Sequence, residues 1–254
     1  MLLTIAIPSH NKASFLQSAL ESIILEPEFG QEVDIVISDN SLNSDIEKLY
    51  NNKYIDNRFI NRFNSREYKC LDSNVNRAVH LSTGEYVWIF GDDDLIVPGV
   101  LSSLIPFLKD KVPDLVVLNS KSFKGSNVIE QSRLPAGIKY MYLEDENDNF
   151  LIDMAGYLTY VGGILVRKDL WKKYFDYNNI GTFFAHIACI SSIKIGRRAH
   201  YFSRPSIQMR LGSQTWTSKS FIIWNRLYPN MIWSLKNYSI AAKNSVIIRN
   251  PIAS

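Results

Sequence analysis

Three adjacent carboxylates, Asp92-Asp93-Asp94, follow the hydrophobic run Glu85–Phe90 with only Gly91 between. Like charges this close repel, so a crowded trio makes chemical sense mainly around a cation. Hard divalent ions such as Mg²⁺ or Mn²⁺ prefer such oxygen ligands. The alternative is a solvated acidic turn that favours the start of the helix expected after Pro98. Asp39 stands just past a second apolar run, Val33–Ser38, and continues into Asn40-Ser41. A carboxylate there can accept hydrogen bonds from a ribose hydroxyl or a base N–H, or it can close an ordinary Asx turn. A third polar turn, Pro8-Ser9-His10-Asn11, follows the first apolar run.

These residues need strand ends to position them, and the first 120 residues supply strand and helix signals in alternation. Leu3–Ile7 reads as a buried strand. Phe15, Leu16, Ala19, Leu20, Ile23 and Ile24 then recur at helical spacing. Val33–Ser38 is a second strand, and Ser44-Asp45-Ile46-Glu47 has the capping-box pattern of a helix start. Arg58–Phe63 is a third strand. Ser73 is placed to cap a helix that ends at Gly84, and Glu85–Phe90 and Asp114–Asn119 are further strands. Pro98 suits the first turn of a helix, which Pro106 should kink or shorten. Repeated β-α units imply an α/β fold with a mostly parallel sheet covered by helices. Residues 121–150 read as polar loop. Gly163–Arg167 reads as a strand, Asp169–Tyr174 and Thr182–Ile195 as helices, and Tyr201–Met209 as extended. Gly196, with Arg197 and Arg198, closes the last helix. In open α/β sheets, ligands bind beyond the carboxyl ends of the strands, where Asp39 and the acidic triplet stand.

The chain has 254 residues and a formal net charge of +3, which hides a division. All 25 acidic residues lie in residues 1–176 with 18 of the 28 basic ones, leaving that portion at −7; residues 177–254 carry +10 and no carboxylate. Any catalytic or metal-ligating carboxylate must therefore come from the first portion, and the second is suited to anions. A hydrophobic content of 46% excludes global disorder. No apolar run reaches the roughly 18 residues needed to span a bilayer. The chain opens directly on an apolar strand, so no secretory signal is expected. Two isolated cysteines, Cys70 and Cys189, suggest neither a disulfide framework nor a zinc site and fit a reducing cytoplasmic setting.

Taken in order, Ile5–Lys12, Ile37–Ser41, Asn74–Ala78 and Thr83–Asp94 resemble the nucleotide-sugar half of a GT-A (Rossmann-like) glycosyltransferase of family 2, closest in flavour to the abequosyltransferase-like branch of O-antigen assembly. The resemblance covers residues 3–100 well and 160–216 loosely. It implies residues 1–120 as the donor half, 121–216 as the acceptor half and 217–254 as a basic, aromatic, helical tail. It implies that Pro8, Ser9, His10 and Asn11 flank the nucleotide, that Asp39 reads the base, and that Asn76 and Arg77 lie near the donor. Asp92 and Asp94 would be the outer residues of an Asp-x-Asp motif holding ribose and Mg²⁺ or Mn²⁺, with Asp93 as a further ligand. A divalent cation there would offset charge developing on a departing diphosphate.

Inverting members of the family usually carry a Glu-Asp pair at the start of a helix in the acceptor half, whose Asp takes the acceptor proton. The corresponding stretch here, Gly181–Ala188, has no carboxylate. His186 is the expected substitute, because imidazole titrates near neutrality; the competing reading is a histidine packed in an apolar segment. Asp153, Asp169 and Asp176 are upstream fallbacks, and in a retaining mechanism a dedicated base would be less necessary. Arg210 through Trp216 could close over a diphosphate and a sugar, Arg210 by its forked donors and Trp216 by its flat face. The aromatic and basic residues from Thr217 onward suit an anionic membrane surface, or a helix packed on the domain. The expected partners are thus a nucleotide-sugar donor, a glycan or polyprenyl-linked acceptor, and the inner face of the plasma membrane. A nucleotidyltransferase would want a Gly/Lys/Arg-rich phosphate loop, which Ser9-His10-Asn11-Lys12 supplies poorly. A non-catalytic nucleotide- or glycan-binding protein is opposed by the triplet and favoured by the missing carboxylate. No nucleic-acid-reading motif is present, and no Gly-x-Gly-x-x-Gly follows a strand.

Overall fold

Leu3, Ile5 and Ile7 of strand β1 (Leu3–Ser9) bury on one side of a sheet and Ala6 on the other. The same two-residue period divides β4 (Tyr86–Ile89), β6 (Leu115–Lys124) and β9 (Ile164–Arg167) between two hydrophobic cores. Strands covered on both faces read as unbroken apolar runs, which is why they stand out in the sequence. The computed structural model describes residues 1–134, 141–143, 146–193, 199–212 and 217–247.

The sheet runs β3-β2-β1-β4-β9-β6-β10-β5, with β2 (Val33–Asp39), β3 (Ile60–Asn64), β5 (Leu95–Ile96) and β10 (Ala199–Arg210) completing that path. β3, β2, β1 and β4 pair in parallel, as do β6 and β10; β9 is antiparallel to both β4 and β6, and β5 to β10. The central sheet is therefore mostly parallel with helices on both faces. One core holds α1 (Ala13–Ile24) and α4 (Leu101–Lys111). The other holds α3 (Leu71–Leu81), α5 (Asn147–Leu158), α6 (Lys168–Tyr174) and α7 (Ala185–Ser192).

Local expectations fail where a distant partner supplies what the local sequence was expected to give. The helix after Ser44, α2 (Asp45–Lys53), forms without a side-chain cap bond. Ser73 is the third residue of α3, whose N-cap is Cys70. That helix stops at Leu81, so Gly84 does not end it. Instead Gly84 lets the chain press against β1, where a Cβ would meet the Thr4 nitrogen at 2.6 Å. Pro98 precedes α4 rather than opening it, and Glu26 from another loop accepts the early amides of Gly99 and Leu101. Pro106 does not end α4; the carbonyl it cannot bond belongs to Ser102, on the exposed face, where water can serve it. Residues 121–150 are not all loop: β6 continues to Lys124 and pairs with an exposed strand, β7 (Asn127–Glu130), while β8 (Met141–Tyr142) pairs with β10. Gly196, Arg197 and Arg198 lie outside the described residues.

The C-terminal stretch is helical but not appended. α8 (Ser220–Ile222) passes through a π-helical turn (Ile223–Leu227) into α9 (Tyr228–Ser234), and α10 (Ile240–Val246) follows. Ile223, Tyr228, Met231, Ile232, Leu235, Tyr238 and Ala242 are buried in the same core as α5 and α7.

Candidate active site

Three strand ends converge at one sheet edge. The Ser9 hydroxyl donates to Asp92 Oδ2 at 2.7 Å, joined by the His10 amide at 3.3 Å. His10 Nδ1 faces the Asn40 carbonyl and side-chain oxygens at 3.1 and 3.0 Å. Asn11 takes a left-handed backbone, φ 57°, donates its amide to Ser41 Oγ and accepts from the Leu42 amide. The turns after β1 and β2 are thus tied together and to the acidic triplet.

The triplet splits its carboxylates between two jobs. Lys12 Nζ stands 2.8 Å from Asp93 Oδ2 and 3.4 Å from Asp92 Oδ1. Burial alone would lower the Lys12 pKa, but the Asp92 and Asp93 charges outweigh it and hold the ammonium above its ordinary value. Burial raises the Asp92 carboxyl despite Lys12. Asp94 turns the other way: its Oδ2 accepts the Tyr160 hydroxyl and its Oδ1 the Arg210 amide at 2.9 Å. Burial, then the neighbouring Asp93 charge, pushes it up to about 7. A Cβ at Gly91 would collide with the Asp94 carboxylate, so this tight turn requires glycine.

A hard cation suits this donor chemistry, and Asp92 and Asp93 already converge on one positive charge. Asp94, expected as the outer ligand, offers its oxygens to Tyr160 and Arg210 instead. Among the described residues, no three His, Cys, Asp or Glu side chains are gathered into a metal cluster.

An open cleft of about 450 Å³ runs from this edge. Pro8, Lys12 and Asp92–Asp94 line it, together with Arg133, Tyr160, Phe183, Phe184, Ile223 and Trp224. Phe184 packs against Trp224 and Tyr228, with ring centres 6.0 and 5.2 Å apart. The Arg133 guanidinium lies 5.3 Å from the Tyr160 ring centre. Arg210 also lines the cleft, with Nε on the Asp93 carbonyl and its guanidinium between the Phe15 and Phe123 rings. Trp216 lies outside the described residues.

Asp39, Asn76, Arg77 and His186, also expected in the site, do not line the cleft. Asp39 is fully buried and satisfied by the Ser41 amide and by Arg62, at 2.8 Å. Burial would raise its pKa, but the Ser41 bonds and Arg62 bring it below the ordinary value. Arg77 reaches Ser38 Oγ and the Phe63 carbonyl and lies over Tyr68. Asn76 points into the core, where its oxygen accepts the Trp171 indole at 3.0 Å. His186 is buried, is absent from the cleft walls, and donates Nε2–H to the Leu158 carbonyl at 2.9 Å. Burial pushes its pKa down to about 4 despite that bond. Asp153 accepts from Tyr142, Asp169 pairs with Arg167, and Asp176 accepts the Asn178 amide; none lines the cleft.

A carboxylate does stand at the start of α7, but it comes from α3. Asp72 accepts the amides of Gly181, Phe183 and Ala185 at 2.9, 2.9 and 3.2 Å. These bonds hold Phe183 at φ 66°, a backbone region costly for a bulky residue, and so fix its ring in the cleft. Sequence reading also passed over Lys12, Arg62, Arg133 and Tyr160. Lys12 alone had a local signal, its place beside the Ser9–Asn11 turn.

The sequence is 28% identical over 237 residues to the abequosyltransferase RfbV of Salmonella typhimurium, covering 86% of this chain and 69% of that protein. It is 28% identical over 104 residues to the GalNAc(5)-diNAcBac-PP-undecaprenol β-1,3-glucosyltransferase of Campylobacter jejuni, covering 41% and 33% respectively. The fold matches the crystal structure of S. aureus TarS 1–349 in complex with UDP-GlcNAc at TM-score 0.66, with 14% identity over 96% of this chain and 70% of that one. It also matches the mannosyltransferase PcManGT from Pyrobaculum calidifontis in complex with GDP-Man and Mn²⁺ at TM-score 0.60, with 14% identity over 91% and 63%. With residues 4–201 matching Glycosyl transferase family 2, the chain belongs to that family and is a glycosyltransferase with the GT-A fold.

Proposed function

We infer that this enzyme moves a sugar from a nucleotide-diphosphate donor to a glycan on a lipid-linked acceptor in surface polysaccharide synthesis. The observation that carries this reading is the cleft itself, lined by the acidic strand end Asp92–Asp94 together with the aromatic rings of Tyr160, Phe183, Phe184 and Trp224. The nucleotide would lie along the tied turns of Ser9–Asn11 and Asp39–Leu42, with Arg77 beside them. Asp92 and Asp93 would hold Mg²⁺ or Mn²⁺, which supplies positive charge to the departing diphosphate. Asp94 would act by joining the edge to the acceptor wall through Tyr160 and Arg210. Phe183, Phe184 and Trp224 give flat faces for the acceptor sugar. The burial of His186 and its bond to the Leu158 carbonyl support a packing role for it.

A thermal-shift panel of UDP-, GDP-, CDP- and dTDP-sugars with Mg²⁺ or Mn²⁺ tests the donor. A donor at a hundredfold its Kd stabilises by about 2.7 kcal/mol, which for a chain this size is roughly 5–10 °C. No shift with any donor and either metal refutes the reading. Product anomer analysis then separates inversion from retention, a question sharpened by the absence of an acceptor-wall carboxylate among the described residues.

We further infer peripheral attachment to an anionic membrane on the cytoplasmic side. No helix among the described residues is long and apolar enough to cross a bilayer. Phe221, Ile222 and Trp224 are 77%, 53% and 40% exposed beside the cleft, close in sequence to Lys219 and Arg226. Because α9 and α10 complete a core, the test is Phe221→Ser with Ile222→Ser rather than truncation. Unchanged sedimentation with anionic vesicles defeats the attachment.

A further inference from the structure

Lys12 occupies the point on which the Asp92 and Asp93 carboxylates converge. It is the N-cap residue of α1, and the left-handed Asn11 before it turns the chain across the strand ends. Its side chain is only 18% exposed, and those of Asp92 and Asp93 are 10% and 17% exposed. Asp92 cannot swing away, because Ser9 and the His10 amide hold its second oxygen. The ammonium lies 3.4 and 2.8 Å from Asp92 Oδ1 and Asp93 Oδ2, and a divalent ion held by these two carboxylates would be repelled by it. Lysine suits such an exchange, because its charge rides on a flexible four-carbon stem rather than in a fixed fork.

We propose that Lys12 is the resident counter-cation of the donor site and that a divalent metal enters by displacing its ammonium from Asp92 and Asp93. The proposal rests on the metal-assisted reading above. The cost of moving Lys12 is subtracted from metal affinity, so the metal-free protein holds its site together at the expense of weak metal binding. Removing the ammonium must therefore tighten the metal.

The test is Mn²⁺ binding to the full chain without nucleotide, read from the EPR signal of free Mn²⁺. Lys12→Met should bind Mn²⁺ at least tenfold more tightly than the parent, and Lys12→Arg, which keeps the charge, should stay within threefold. Adding Asp93→Asn to Lys12→Met should remove most of the gain. Lys48→Met changes net charge equally on exposed α2, where Lys48 pairs with Asp45, and should leave affinity unchanged. Melting curves establish that each variant is folded. Equal or weaker Mn²⁺ binding by folded Lys12→Met overturns the exchange, as does an equal gain from Lys48→Met. No Mn²⁺ binding by any variant removes the metal reading itself and the exchange with it, whereas tight, equal binding by parent and Lys12→Met removes only the exchange.

Discussion

Replacing His186 by glutamine keeps a donor for the Leu158 carbonyl and deletes the titrating group. In the parent, the folded imidazole has its pKa at about 4 against 6.5 for the free side chain. Between those values the unfolded chain takes up a proton that the folded chain refuses. The stability linked to His186 is therefore fully present above pH 6.5 and is lost as pH falls towards 4. The difference of about 2.5 in pKa corresponds to about 3 kcal/mol, a large share of the 5–15 kcal/mol typical of a folded domain. Burial raises Asp94, Asp92 and Asp72, whose contributions run in the opposite direction with pH. The raw pH curve of the parent thus mixes signs, and the difference between parent and His186→Gln isolates the histidine. Urea unfolding in half-unit steps from pH 7.5 to 4 measures it. The parent should lose about 3 kcal/mol relative to the variant across that range. A flat difference would refute a neutral, buried His186. Transfer activity provides an independent arm: the variant should keep its kcat near neutrality, and a hundredfold loss at unchanged stability would restore His186 as the proton acceptor.

Asp94→Asn should show the reverse dependence in metal-free buffer: with the folded carboxyl at about 7 and the free one at 3.8, the parent should lose about 3 kcal/mol relative to the variant as pH rises from 4 to 7, and equal slopes in urea titrations would contradict it. Asp72→Ala strips three amides of their acceptor and should cost about 3 kcal/mol, roughly 6–12 °C in Tm. Surviving Asp72→Ala enzyme should show a raised acceptor KM as Phe183 is released, and a parental Tm and KM would count against the clamp. Arg62→Ala abandons the buried Asp39 charge and should cost about 3–5 kcal/mol; Arg62→Lys should recover only part, and an alanine variant within about 0.5 kcal/mol of the parent in urea would show the pair to be dispensable.

The first 120 residues were legible because their signals are local and physical. β1, β2 and β4 are buried on both faces, so their apolar runs declare them, and the polar residues that follow fall at one sheet edge. Asp92 could be recognised there, but not the direction each carboxylate faces. That depends on Lys12, Tyr160 and Arg210, which arrive from three separate parts of the chain. The acceptor side was less legible for the same reason. Sequence order put His186 near the start of α7 correctly, yet its side chain turns inward while Asp72, 109 residues before Gly181, collects the loop's amides. Asn76 looked like a donor-side residue until the Trp171 indole, 95 residues later, accounted for its oxygen. β9 and β10 were read from their sequence, but β7 was hidden because it is exposed along its length and carries no apolar alternation.

The π-helical turn at Ile223–Leu227 holds one more residue than an α-helical turn would, and two of its members, Ile223 and Trp224, face the cleft. α9 beyond it is anchored in the core. Deleting a single residue from the turn would let it relax to an α-helix and rotate everything upstream by about 100° relative to α9. Trp224 would leave the cleft. One codon gained or lost there would re-cut this side of the cleft while the turns after β1, β2 and β4 keep their register.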